Sequence, residues 1–170
     1  MISFCTAGPE HLPAIEAIER ACFLDPWPTS AFLSELEHDW SWFQVALVGE
    51  GAEPPPVRGY VICWIIPQDM HLLNLAVHPA WRRRGIGSAL LGQAVDFFAG
   101  RGGGTVYLEV RQSNREAQQV YHRLGFTPVG RRPGYYRRLR EDALVMAMRV
   151  PGRAVPATPR RRQPGESRWS

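Results

Sequence analysis

Between Met70 and Gly92 the chain reads MHLLNLAVHPAWRRRGIGSALLG: an apolar strand, a turn dense in arginine and glycine, and the start of a helix. No other stretch constrains the fold as much. The first N–H groups of a helix have no intrahelical partner, and the helix dipole favours negative charge beside them. Glycine at 85 and 87 lets a ligand approach the backbone closely. The N–H groups of residues 83–88 can then converge on one anion, with arginine charge added. The turn reads as a pyrophosphate site for a bulky cofactor, with the preceding strand aligning its reactive end. Two common nucleotide motifs do not fit. A P-loop needs lysine, and the chain has none; the dinucleotide fingerprint needs GxGxxG, whereas the glycine after Gly87 is Gly92. A basic turn with glycine kept for packing would look the same, so the turn alone leaves both readings open.

The flanking patterns place this unit in a mixed sheet. Ile2–Thr6 reads as an edge strand. A helix follows from Pro9 to Cys22, with Leu12, Ile15 and Ile18 at helical spacing. The run DPWP ends it, and Thr29 or Ser30 caps a second helix over 31–38. Strands are expected at 42–48, 57–66 and 71–77, a long helix at 85–100, and a strand at 105–111. The sequence Ser113-Asn114-Arg115-Glu116 has the form of a capping box and opens a helix to Leu124 with Ala117, Val120, Tyr121 and Leu124 on one stripe. Strands at 126–129 and 143–150 close the domain, joined by a polar Arg- and Tyr-rich loop. The order β-α-α-β-β-β-α-β-α-β-β predicts an α+β domain: a mixed, mostly antiparallel sheet with one parallel strand pair and helices packed on it.

Charge divides the chain in two. Its net +4 lies in residues 151–170, where five arginines face one acid; residues 1–150 carry equal numbers of basic and acidic groups. A neutral body excludes a dedicated nucleic-acid domain, because phosphate contacts need a basic face. The Pro/Arg-rich end is expected to be a disordered tail whose charge could contact RNA. No apolar run reaches the ~20 residues of a membrane span, and no signal peptide is evident. Three unpaired cysteines predict reduced thiols and a cytoplasmic setting. No metal motif is present.

Four further features carry chemistry. If the strand edge at Leu73–Val77 is left partly unpaired, its backbone can pair with a ligand. Glu109 projects from mid-strand opposite Leu108 and Val110, either into a cleft or into an ion pair with Arg111 or another arginine. Tyr121 lies on the apolar stripe of the next helix, as a core residue or at the same cleft. Asn114 has an amide that can reach a ligand. Phe23, Trp27, Tyr135 and Tyr136 are aromatic residues in loops.

LNLAVHPAWRRRGIGSALL resembles the acetyl-CoA segment of the GNAT acetyltransferases, with Arg82, Gly85 and Gly87 on the family's Arg/Gln-x-x-Gly-x-Gly/Ala pattern. VYLEVRQSNREAQQVYHRLGF, ACFLDPWP and YYRRLREDALVMAM extend the likeness to the bacterial ribosomal-protein-alanine N-acetyltransferases, over roughly residues 2–149. The resemblance implies the GNAT fold, with helices on both faces of the sheet, and acetyl-CoA as co-substrate. It implies that Leu75, Ala76 and Val77 pair with the pantetheine arm and that Val77 N–H polarises the thioester. Arg83, Arg84, Gly85, Ile86, Gly87 and Ser88 would wrap the pyrophosphate, and Asn114 would bind the arm. Glu109 would be the general base, Tyr121 the proton donor, and Phe23, Trp27, Tyr135 and Tyr136 the peptide side. The implied acceptor is a protein N-terminal amine, with a ribosomal protein as partner; a small-molecule amine acetyltransferase and a non-catalytic acyl-CoA-binding module are the alternatives. One departure concerns Arg137, Arg138 and Arg140, since such a cluster would repel a basic acceptor segment.

Overall fold

The computed structural model describes residues 1–49 and 51–154. Seven strands form one sheet in the order β1-β2-β3-β4-β5-β7-β6. They are β1 (Ile2–Thr6), β2 (Ser41–Val48), β3 (Val57–Ile66), β4 (Asp69–Val77), β5 (Gly103–Arg111), β6 (Thr127–Tyr136) and β7 (Glu141–Pro151). Every neighbouring pair is antiparallel except β4 and β5. Helices α1 (Leu12–Cys22) and α2 (Thr29–Glu37) cover one face; α3 (Ile86–Gly100) and α4 (Arg115–Arg123) lie on the other.

Strand alternation builds a core on each side. Val61, Cys63, Met70, Leu72, Val106 and Leu108 face α3, whose Ile86, Leu90, Ala94 and Phe98 are buried against them. Tyr60, Ile62 and Phe43 face the other way and meet Ile15, Ile18 and Phe32 of α1 and α2. At β4 the alternation breaks. Ile62 pairs with Asn74 while the next residue, Cys63, pairs with Leu72, so Leu73 is the extra residue of a β-bulge. Beyond it, Leu75 and Val77 face α3, and Asn74 and Ala76 face α1.

The bulge coincides with the end of the parallel pairing. β4 pairs with β5 only over Asp69–Leu72 against Thr105–Leu108. Past that point the two strands have no register, and the sheet opens between Leu73–Val77 and Glu109–Arg111.

Several boundaries differ from the sequence expectation. α2 begins at Thr29, with Pro28 as N-cap and no side-chain cap. Asn114, not Ser113, caps α4: its Oδ1 accepts from Ala117 N–H at 3.1 Å, while Ser113 N–H donates to Glu141 Oε1. A short nine-residue helix lying along one edge buries little. Val120 and Leu124 of the expected stripe are each 37 % exposed, and only Ala117 and Tyr121 pack on the core. The Arg- and Tyr-rich segment is mostly strand, because β6 continues along β7 through two irregularities to Tyr136. Gly103 and Gly104 belong to β5 rather than to a helix terminus. At Gly104 φ is +144°, and a Cβ would strike the carbonyl of Gln68. Gly104→Ala should therefore destabilise the fold by more than ~3 kcal/mol, read as a lowered urea midpoint. β7 runs to Pro151, and Arg153 Nη2 lies 2.6 Å from Asp96 Oδ1. The expected disordered tail otherwise falls on residues 155–170, outside the described residues.

Candidate active site

The opening between β4 and β5 is lined by backbone on one side. His78 N–H donates to the Arg58 carbonyl, which sets the antiparallel alternation so that Ala76 and Asn74 exchange their backbone bonds with β3. Leu75 and Val77 then present their backbone groups to the unpaired edge. Of the three strand residues expected to contact a ligand, Ala76 does not offer its backbone, because Tyr60 holds it. The Val77 carbonyl is engaged by Arg82 Nε at 3.3 Å and by the Cys22 thiol at 3.4 Å.

The turn after β4 has the form of an anion cradle. Gly85, at φ +79°, is the N-cap of α3 with no side-chain cap, so the first-turn N–H groups at Ile86, Gly87 and Ser88 have no side-chain acceptor. Arg83 also lies in the left-handed region, at φ +61°. A Cβ on Gly87 would sit 3.5 Å from Val77 Cγ2, between turn and strand. Arg84 extends over Trp81, its guanidinium carbon 4.5 Å from the ring centroid, and Arg58 meets the same ring at 4.7 Å.

Glu109 and Tyr121 stand on opposite faces of the sheet beside this opening. Glu109 shares the α1/α2 face with Tyr107 and Arg111; Tyr121 packs on the α3 side, its ring 5.7 Å from that of Phe126. Glu109 is paired, but with Arg132 of β6 rather than Arg111: Arg132 Nη1 reaches Oε1 at 3.1 Å. No hydrogen bond engages Oε2 among the described residues. Burial first, and then the charges of Tyr135, Glu109 and Tyr121, push the Tyr136 phenol up to about 12. Burial, with a smaller contribution from Cys63, also lifts Tyr121 to about 12. Both phenols are protonated donors at neutral pH. Because the folded values exceed the ordinary 10.0, these tyrosines stabilise the fold fully below pH 10 and cease to do so as pH rises toward 12. Alkaline unfolding, followed by circular dichroism, should fall in that window and move upward in Tyr136→Phe.

The aromatic loop residues divide. Tyr135 and Tyr136 meet edge to face at 5.1 Å beside Glu109, and Phe23 is 37 % exposed. Trp27 is half-buried: its ring tilts on Phe32 at 5.4 Å, and its backbone N–H donates to Glu19 Oε1. Asn114 Oδ1 is occupied by the α4 cap, leaving only its amide nitrogen for a ligand.

Two groups had no sequence signal. Arg132 is one. The other is Glu19, 1 % exposed, whose carboxylate accepts from Tyr60 Oη, Asn74 Nδ2 and Trp27 N–H. This buried cluster ties α1 to the residue after the β4 bulge. Its members are too far apart in sequence to form a motif.

The sheet thus opens at its parallel pair, with an uncapped helix start beside the opening and Glu109 and Tyr121 on its two faces. Residues 12–126 match the model of the acetyltransferase (GNAT) family, and the chain belongs to that family. Its donor is acetyl-CoA. The [ribosomal protein bS18]-alanine N-acetyltransferase of Escherichia coli K12 is 35 % identical over 141 residues, covering 82 % of this chain and 91 % of that protein. The enzyme of the same name from Haemophilus ducreyi is 33 % identical over 134 residues, covering 77 % and 88 %. The crystal structure of the ribosomal-protein-S18-alanine N-acetyltransferase from Escherichia coli aligns with a TM-score of 0.79 at 30 % identity, covering 93 % of this chain and 99 % of that one. No helix among the described residues is long and apolar enough to cross a membrane, and none of their side chains form a metal-binding group.

Proposed function

We propose that the chain acetylates the N-terminal amine of a protein, with a ribosomal protein beginning in alanine as the leading acceptor. The observation that carries this reading is the placement of Glu109 and Tyr121 on the two faces of one opening in the sheet. The named relatives act on ribosomal protein bS18, which supports the acceptor class. The free thiols agree with a cytoplasmic setting.

The donor supplies an acyl group activated as a thioester. The residues present fit it: the α3 N-terminus from Arg83 to Ser88 would hold the pyrophosphate, and the free edge at Leu75 and Val77 would hold the arm, with the Asn114 amide beside it. An N-terminal amine has a pKa of ~7.7–8.0, so only modest help is needed near pH 7. Glu109 takes that proton at Oε2, directly or through a water. Val77 N–H donates to the carbonyl oxygen as charge develops there. Tyr121 gives its proton to the departing sulfur. Phe23, Tyr135 and Tyr136 line the acceptor side.

The test is mass spectrometry of peptide N-termini after incubation with acetyl-CoA, across a panel of first and second residues. Acetylation confined to the α-amine is the expected result. Turnover of a polyamine or antibiotic with none of any peptide would overturn the reading. Tyr121→Phe should lower kcat about 100-fold, with the acetyl-CoA dissociation constant little changed.

A further inference from the structure

The segment Thr127–Arg140 contains five arginines and no acid. Three of the five are paired. Arg131 Nη1 meets Asp142 at 3.3 Å, Arg138 Nη1 meets Asp25 at 3.0 Å, and Arg132 meets Glu109 at 3.1 Å. Arg137 and Arg140 are exposed and have no carboxylate partner among the described residues. Arg131, Arg132, Arg137 and Tyr135 line one open pocket of about 570 Å³ with Pro133 and Gly134. That pocket adjoins the carboxylate read above as the base, because Arg132 belongs to both. Its guanidinium rests on the Tyr135 ring, 4.4 Å from the centroid, while its Nη1 reaches Glu109.

We infer that this pocket selects acceptors carrying an acidic side chain at the second or third residue. The inference rests on the N-terminal amine reading given above. An acceptor enters with a cationic α-ammonium that must lie against Glu109. Arg132 holds Oε1 while Oε2 accepts no hydrogen bond among the described residues, so an ammonium at Oε2 shares a carboxylate whose charge Arg132 already draws on. An anion supplied by the acceptor offsets that sharing: the ammonium lies on Oε2, and the Arg132 fork gains a second carboxylate. An extended chain advances about 3.3 Å per residue and turns successive side chains to opposite faces, so either its second or its third side chain comes within reach of a pocket that shares Arg132 with the carboxylate. A carboxylate there can meet the planar guanidinium forks of Arg132 and of Arg137, which has no carboxylate partner of its own among the described residues. A lysine there would add a cation to an already basic surface. The charge arrangement therefore discriminates twice, by attraction and by repulsion.

The experiment compares kcat/KM for peptides that share a first residue and differ at residues two and three: Asp-Asp, Ser-Ser and Lys-Lys. The expected order is Asp above Ser above Lys, with about tenfold between the extremes at low ionic strength, narrowing as salt is raised. Arg137→Glu should shrink or invert the Asp-to-Lys ratio. Equal rates for the three peptides, a preference for lysine, or a ratio unmoved by salt would overturn the inference while leaving the N-terminal acetylation reading in place. Failure to acetylate any peptide would instead remove that reading, and this inference with it. The peptide ratio and its salt dependence are read on the unaltered chain, so the test stands even if Arg137→Glu does not fold.

Discussion

Glu109→Gln is expected to lower kcat by about 10²- to 10⁴-fold, with acetyl-CoA affinity unchanged within about twofold. The substitution keeps shape and leaves an amide oxygen able to accept the Arg132 bond seen at 3.1 Å. What it removes is the capacity to take a proton. The residual rate should climb from pH 7 to pH 9, because the acceptor amine loses its own proton in that range. Isothermal titration with acetyl-CoA and a pH–rate series separate this from misfolding. A variant with the original rate and a flat pH dependence would dismiss Glu109 as the base.

Glu19→Ala is expected to cost about 3–5 kcal/mol of folding stability in urea denaturation. Its carboxylate is 1 % exposed and holds three donors from three parts of the chain. Removing it leaves Tyr60 Oη and Asn74 Nδ2 buried without their acceptor. Asn74 directly follows the bulge, so the damage should reach the β4 edge and raise the KM for acetyl-CoA as well. Glu19→Gln retains an acceptor and should lose less than half as much. A loss below ~1 kcal/mol for the alanine variant would mean that the cluster contributes little beyond packing.

Much of the fold could be read from periodicity. The strand at 57–66 and the stripes of α1 and α3 follow local patterns that burial enforces, and each appears where the pattern places it. The single parallel pair followed from the β-α-β connection through α3. Long-range choices were not legible. Nothing local says that Leu73 is an extra residue, because the bulge is defined only by the partner strand. Asn114 rather than Ser113 caps α4, and Ser113 N–H donates instead to Glu141, 28 residues on, a partner that no local pattern names. Trp27 looked like a binding-loop aromatic, and its contact with Phe32 depends on how α2 folds back. The turn at 83–88 and Glu109 were visible because glycine and a mid-strand carboxylate break their surroundings. Arg132 was hidden among other arginines, and only the register of β6 on β7 singles it out.

The opposite-face placement of Glu109 and Tyr121 also governs traffic. If Glu109 and Tyr121 act as proposed, the sheet is a partition with one window, and the two reactants would come to it through different doors. Acceptor accumulating on the α1/α2 side occupies none of the surface that the donor needs. High peptide concentrations should therefore not slow the enzyme, and free CoA should compete with acetyl-CoA alone.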